Sequence, residues 1–393
     1  MSAAATASTA QAAGGPARLR IDYVDGMRAL AALIVYVNHA YAQTWNPLYH
    51  LEPSGIFKLA QVSMVAGHLS VTVFIVLSGF CLTLPVVANG GELRGGVKLF
   101  LQRRARRILP PYYAALLLSL ALIFTVIGEP TGSLWDVPIQ YRPSSIVAHF
   151  LLLQDLFGTG MINYVFWSIA VEWHIYFLVP LLVWGFRRYG AARLVIGALV
   201  IGYALRFGFA DTRLTRAHPQ FIGMFALGML AAHLVSSTDE VFVRLRQRLP
   251  WRVIAALGFG TAVALAASWG VTLSEQRFHL LDVPVGIMST ALLVALSQRG
   301  SVIAKTFEAR PLVFVGTFSY SLYLIHAPLL QILWQYVLTP LGLSRNVQFS
   351  LLMTLGLALV LLVSYGFFLL FEAPFLRASR AKTQVAAPVP TGQ

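Results

Sequence analysis

Apolar runs of about twenty residues recur along the whole chain, and they constrain its fold more than any other feature. A backbone crosses roughly 30 Å of hydrocarbon only as a helix or a closed barrel, because no water is there to satisfy its N–H and C=O groups. Ten segments of spanning length lie near 27–45, 68–88, 108–128, 165–186, 192–209, 219–236, 252–271, 280–297, 312–335 and 347–371. Barrel strands alternate polar with apolar residues, whereas these runs are apolar all round. The chain is 58% hydrophobic and 11% charged, against about 25% charged in soluble domains. The expected fold is therefore all-α and polytopic, with about ten transmembrane helices. An even number puts both termini on one side.

The net charge of +14 would suit nucleic acid if it were gathered on a soluble domain, but it is spread over the loops. Of the 29 Lys and Arg residues, 22 fall in segments on the side of the N-terminus, from Arg18 and Arg20 to Arg299, Arg380 and Lys382; 7 fall on the other side. The positive-inside rule then puts both termini in the cytoplasm of a multi-pass protein of the cytoplasmic (inner) membrane. Nucleic acid is not an expected partner.

Residues 1–17 are small and polar, with no basic or apolar signal regions, and read as a disordered tail, as do residues 378–393. Residues 18–377 form one membrane domain. Cys81 is the single cysteine, so no intrachain disulfide can form, and it reads as a small buried apolar residue. The one long loop, 129–164, contains "SSIVAHFLLLQDLF", a re-entrant or interfacial helix by composition. No space remains for a soluble catalytic domain, so any chemistry belongs to the bundle or its mouths.

Polar residues inside the spans are costly and usually functional. In "RALAALIVYVNHAYA", Arg28 and His39 are eleven residues apart. They share a helix face within about 20° and are separated by roughly 16 Å along the axis. Arg28 sits at the cytoplasmic end and His39 in the outer half. In the fourth span Ser168, Glu172 and Tyr176 form one stripe, and in the ninth Ser319, Tyr323 and His326 form another. Glu172 and His39 both lie about seven residues from the outer end of their spans, so a His39–Glu172 contact is expected. In the second span, "FIVLSGFCL" reads first as helix packing through Ser78-Gly79, with Ser78 also a substrate-binding candidate.

The cytoplasmic stretch "RRARRILPPYY" pairs Arg104 with Arg107, and Arg103 with Arg106, on two faces. Guanidinium forks there suit a phosphate-bearing ligand or anchor the chain on lipid head groups. A polyphosphate at the cytoplasmic mouth and chemistry beyond the midplane call for a ligand with charge at one end and a reactive group on a long arm. Acyl-coenzyme A has that shape. No Walker loop, H-E-x-x-H, C-x-x-C or G-x-S-x-G occurs, so nucleotide hydrolysis, zinc chemistry and serine hydrolysis have no support and no metal is expected.

The sequence resembles the membrane acyltransferase-3 family. The matching pieces are "DGMRALAALIVYVNHA" with its Arg-x10-His spacing, "FIVLSGF", "RRARRILPPYY", "FWSIAVEWHIYFLVPLL", "SYSLYLIHAPLL" and "FEAPFL", in order over roughly residues 20–376. The resemblance implies a ten-helix domain that moves an acyl group, usually acetyl, from acyl-CoA to a sugar hydroxyl on a surface polysaccharide or a lipid-linked glycan. It implies that His39 is catalytic, that Arg28 belongs to its motif and that Arg104 and Arg107 serve the coenzyme A end. Thr72 departs from the family pattern, where an acidic residue is common. A fused C-terminal esterase-like domain, present in some relatives, is not expected here.

On this reading His39 is a general base for the acceptor hydroxyl or carries the acyl group covalently. Glu172 orients it, and Tyr323 and His326 hold the acceptor or the oxyanion. Membrane lipids and a second copy of the chain are admissible partners. The rival reading is a proton-coupled transporter or flippase that uses Arg28, His39 and Glu172 as a relay.

Overall fold

The computed structural model describes residues 21–45, 53–136, 142–158, 162–210, 212–298 and 302–377. The two expected tails lie outside the described residues, as do Arg18, Arg20, Arg299, Arg380 and Lys382. Among the described residues there is no strand. In chain order the helices are α1 (Asp22–Thr44), α2 (Val62–Val87), α3 (Gly96–Leu122), the short α4 (Pro143–Phe150) and α5 (Gln154–Phe157), α6 (Phe166–Tyr189), α7 (Ala191–Gly208) and the single turn α8 (Arg213–Arg216). They continue as α9 (Phe221–Ser236), α10 (Glu240–Arg248), α11 (Trp251–Gln276), α12 (Phe278–Ser297), α13 (Val302–Phe307), α14 (Arg310–Thr317), α15 (Ser319–Leu333), α16 (Arg345–Leu351) and α17 (Leu357–Phe367).

The protein is an all-α, multi-pass membrane protein. By length and composition, 8 of the described helices can cross a membrane, or 9 if the bent pair α9–α10, which turns by 98°, is one span. Ten were expected, and the two that differ are α1 and α9. At 16 residues α9 is short, about 24 Å at 1.5 Å per residue. At 23 residues α1 is long enough, but Asp22, Asp25, Arg28, Asn38, His39 and Gln43 lower its hydropathy. Such a helix is tolerated because protein surrounds it: α1 packs on α2, α14 and α15, and 15 of its residues are buried. The polar helix is thus the inner one, wrapped by apolar ones.

The closest pairing in the bundle is α2 with α9, and small residues permit it. A Cβ on Gly79 would collide with the backbone carbonyl of Phe225, and one on Gly228 with that of Val76. The two glycines seat each helix on the other's backbone, which is the packing expected of Ser78-Gly79. The apolar piece of the long loop folds as the hairpin α4–α5. It is held by Tyr112 Oη and Tyr113 Oη, which donate to the His149 and Phe150 carbonyls at 2.9 Å each. Asn163 Nδ2 then donates to the Leu324 carbonyl at 3.2 Å, locking the start of α6 against α15.

A branched side chain at the α2–α9 seam must push two backbones apart. Gly228→Val is expected to destabilise the protein by about 1–3 kcal/mol, read as a lower midpoint of thermal unfolding in detergent. Gly366→Ala, where a Cβ meets nothing within 4 Å, should leave that midpoint unchanged or raised.

Candidate active site

The polar side chains inside the bundle gather at two levels. One is near the end where α1 starts, the near end; the other is toward the end where α1 finishes, the far end. At the far level His39 Nδ1 lies 2.7 Å from His326 Nε2, and the ring planes are within 10° of parallel. His326 Nδ1 lies 3.0 Å from the Leu322 carbonyl. A carbonyl only accepts, so His326 Nδ1 carries the proton and donates. The neutral ring then has a bare Nε2, which accepts from His39 Nδ1–H. The proton positions follow in sequence from one backbone oxygen, and they leave His39 Nε2 as an unprotonated lone pair. Tyr164 packs its edge on the His39 ring at 4.8 Å. Ser168 Oγ and Tyr323 Oη share a hydrogen bond of 2.7 Å one turn closer to the near end.

Glu172 is not at this level. It accepts from Tyr176 Oη at 2.6 Å and lies in the field of Arg28. The expected His39–Glu172 contact is thus replaced by His39–His326. The cause is geometric: Ser168 already meets Tyr323, and Glu172 is one further turn, about 6 Å, toward the near end. The depth estimate from the ends of the spans was off by that turn.

The near level is ionic. Arg28 Nη1 donates to Asp25 Oδ1 at 3.1 Å and Nη2 to Cys81 Sγ at 3.2 Å. Tyr176 interacts with Ser78 and with the charge of Arg104. Ser321 Oγ donates to Glu372 Oε2 at 2.6 Å, and Glu372 feels Arg107 and Arg28. The four arginines of α3 therefore divide. Arg104 and Arg107 turn toward the bundle, while Arg106 is exposed and Arg103 donates outward to the Arg94 carbonyl.

A cavity of about 260 Å³ opens beside the far level. His39, Asn38 and Tyr323 line it, together with His68 of α2, Trp167 of α6, and Ser274 and Glu275 at the end of α11. His68, Trp167, Tyr164 and Glu275 were not singled out in the sequence, because none of them belongs to a polar stripe read at helical spacing. Thr72, the residue at odds with the family pattern, donates to Asp282 of α12. A carboxylate therefore stands beside that position after all, supplied by another helix.

The motif pieces quoted from the sequence come from α1, α2, α3, α6, α15 and the turn ending at Glu372, and all of them face these two levels. A family model described as an acyltransferase domain matches residues 21–369. The chain belongs to the acyltransferase-3 family. It is similar to the peptidoglycan O-acetyltransferase OatA of Listeria monocytogenes, 24% identical over 336 residues, covering 80% of this chain and 50% of that one. It is similar to the O-acetyltransferase OatA of Staphylococcus aureus, 23% identical over 332 residues, covering 78% and 50%. The putative peptidoglycan O-acetyltransferase YrhL of Bacillus subtilis is 26% identical over 332 residues, covering 78% and 48%. The chain spans about half the length of the curated relatives it matches. No solved structure matches it.

In this member of the family the histidine pair should be energetically coupled. His326→Ala leaves the His39 Nδ1–H buried without its acceptor, at a cost of about 1–3 kcal/mol. The double variant His39→Ala, His326→Ala should cost less than the two single variants together by about 0.5–3 kcal/mol. Unfolding of the four proteins in detergent measures the cycle, and strict additivity would contradict the bonded pair.

Proposed function

We propose that the protein is an integral-membrane O-acyltransferase that moves an acyl group, acetyl in the first instance, from acyl-CoA to a hydroxyl of a carbohydrate. The observation that carries this reading is the chain of bonds from the Leu322 carbonyl through His326 to His39. It leaves a single imidazole nitrogen free to take a proton, on a residue that borders a cavity. The relatives' names, peptidoglycan O-acetyltransferase and O-acetyltransferase, support the same class of reaction with a glycan acceptor.

The near end is the cytoplasmic face, by its excess of Lys and Arg, in the cytoplasmic (inner) membrane. Arg104 and Arg107 hold the phosphates of the donor there, since their planar forks match phosphate oxygens. Arg28, Ser78, Tyr176 and Glu172 line the way inward. Glu172 is a positioning residue, which keeps Arg28 and Tyr176 in place and does not touch His39. The acceptor, a surface or exported polysaccharide or its lipid-linked precursor, approaches from the far end, where Tyr323 lines the cavity and His326, buried behind His39, acts through it.

Transfer begins when the acceptor hydroxyl attacks the thioester carbonyl. Its proton moves to His39 Nε2. The positive charge on the imidazolium is shared along the Nδ1–H bond to His326 and on to the Leu322 carbonyl, so the second histidine does what a carboxylate does in a serine-protease triad. The tetrahedral carbon then expels the coenzyme A thiolate. His39 Nε2–H returns the proton to that sulfur, and the ester and the free thiol are the products. A neutral partner stabilises an imidazolium less than a carboxylate would, so His39 remains a neutral base between turnovers.

Release of coenzyme A from acetyl-CoA by the purified protein tests the donor and the base together. His39→Ala is expected to lower it by about 10²–10⁴-fold, and His326→Ala to lower kcat with little change in KM. Arg104→Gln with Arg107→Gln should raise the KM for acetyl-CoA and leave kcat nearly intact. An insertion-competent His39→Ala protein with full activity would overturn the role of His39. A wild type that neither binds acetyl-CoA nor releases coenzyme A would overturn the reaction, and a transporter would then fit better.

A further inference from the structure

The near end holds a helix that crosses nothing. α9 starts beside His68 at the far level, and α10 leaves its other end bent by 98°. A helix of 9 residues, about 13 Å long, thus runs at right angles to α9 where that span ends. The corner is built. Ser237 Oγ accepts from the Asp239 N–H at 3.1 Å, and Asp239 caps α10 by accepting from the Val241 N–H at 2.8 Å. Arg246 reaches back to the open C-terminus of α9, where Nη1 donates to the Leu234 and Val235 carbonyls at 3.0 and 2.6 Å. Trp251 Nε1 of α11 donates to the Leu245 and Arg246 carbonyls at 3.2 and 3.1 Å, and Gln298 Nε2, just after α12, to the Arg246 carbonyl at 2.9 Å. Three neighbouring elements therefore fix both the direction of α10 and its rotation about its own axis.

Going round α10 at about 100° per residue, four arcs follow in order. Phe242 and Arg246 face the bundle, and the Phe242 ring meets His233 of α9 edge-on at 4.2 Å. Val241 and Leu245 come next, each about 100° further round, and both are exposed. Arg244 and Arg248 follow, then Glu240 and Gln247, all exposed. An apolar arc thus lies between the bundle and the arginines. It does not stop at the helix end. Leu249, Val253 and Leu257 continue the series of exposed apolar residues at every fourth position, round the corner and onto α11, a helix of spanning length with most of its surface turned outward. Between Glu240 and Glu275 the chain carries Arg244, Arg246, Arg248 and Arg252 and no Asp or Glu.

These four arginines are not equivalent. Arg246 is spent on the end of α9. Arg244 Nη2 pairs with Glu240 at 3.5 Å. Arg248 and Arg252, exposed on either side of Pro250, take part in neither contact. A loop that served only the positive-inside rule would need charge alone. A helix locked at right angles to its span, with an apolar arc beside a cationic one, has what a helix lying in the plane of a bilayer surface needs. Its apolar side chains enter the edge of the acyl region, and its arginines extend to the phosphates.

We infer that α10 lies in the cytoplasmic leaflet and that Arg248 and Arg252 bind the head group of an anionic phospholipid there. Of the function proposed above this uses only the assignment of the near end to the cytoplasm. Val241 and Leu245 sink into the leaflet and hold the corner at phosphate depth. The guanidinium forks of Arg248 and Arg252 match phosphate oxygens. A zwitterionic head group offers the same phosphate with its own cation attached, so a lipid of net negative charge binds more tightly. The apolar arc runs without a break into the lipid-facing side of α11, so the leaflet that surrounds the span is the surface that covers it.

Two measurements on the full-length protein test this, and a thermal melt confirms that each variant is folded. The first reads depth. Nitroxide labels are placed on Val241→Cys, Leu245→Cys and Gln247→Cys, each in a Cys81→Ala background in lipid nanodiscs. The labels at 241 and 245 are expected to collide with oxygen, which concentrates in the bilayer, and the label at 247 with a water-soluble nickel chelate. Equal access of the chelate to all three overturns the placement of α10, since the apolar arc then lies in water. The second needs no label. Native mass spectrometry follows the detergent-purified protein as phosphatidylglycerol or phosphatidylcholine is added. Phosphatidylglycerol is expected to bind about fivefold or more tightly, and Arg248→Gln with Arg252→Gln to lower its affinity about tenfold while leaving phosphatidylcholine unchanged. Arg193→Gln, an exposed near-end arginine outside α10, should change neither. Equal binding of the two lipids, an unchanged phosphatidylglycerol affinity in the double variant, or an equal loss in Arg193→Gln would each overturn the lipid site.

Discussion

Everything at the far level depends on one hydrogen bond between two imidazoles. Two histidines held 2.7 Å apart inside the bundle cannot both be charged, and two neutral rings can bond only if one donates and the other accepts. The Leu322 carbonyl removes the ambiguity, because it forces the proton of His326 onto Nδ1. The direction of the whole array follows from a backbone oxygen that cannot titrate. A helix placed a few degrees differently would break the order, and α1 is held in place by α2, α14 and α15, which enclose it.

That enclosure links packing to chemistry. α1 can bring an arginine and a histidine into the apolar bundle because α2, α14 and α15 replace lipid around it, and α2 in turn is pinned by the glycine seam with α9. Dispersion and close backbone approach hold such a bundle where no hydrophobic force acts between helices. The polar groups are then fixed in position by partners that are themselves fixed. Tyr176 holds Glu172, Ser321 holds Glu372 and Ser168 holds Tyr323. Each pair leaves little unsatisfied, so the polarity of the site is tolerated at modest cost.

Helical spacing made much of this legible in the sequence. The shared face of Arg28 and His39, the stripe of Ser168, Glu172 and Tyr176, and the stripe leading to His326 all follow from a period of 3.6 residues, and all appear in the structure. What the spacing could not supply was the vertical register between helices. Glu172 was matched to His39 by counting residues from uncertain span ends, and one turn of error exchanged a carboxylate partner for a second histidine. The ten expected spans and the 8 or 9 helices that qualify by length and composition differ through α1 and α9: the polar residues of α1 lower its hydropathy although its 23 residues are long enough to cross.

The cavity wall was out of reach for a different reason. His68, Trp167, His218, Phe278 and Glu275 come from α2, α6, the turn before α9, α12 and the end of α11. No two of the first three are closer than 50 residues in sequence. Nothing local marks any of them: a tryptophan near a span end reads as an interfacial anchor, and a glutamate after a span reads as loop. Their meaning comes only from convergence. The lone positive-φ glycine inside α11 is the one local trace, since a break there has no role in a straight crossing and brings Ser274 and Glu275 to the cavity. The motif pieces account for the His39–His326 pair and for the ionic level around Arg28, whereas His68, His218, Phe278 and Glu275 lie outside every one of them, so only the folded chain joins the two sets.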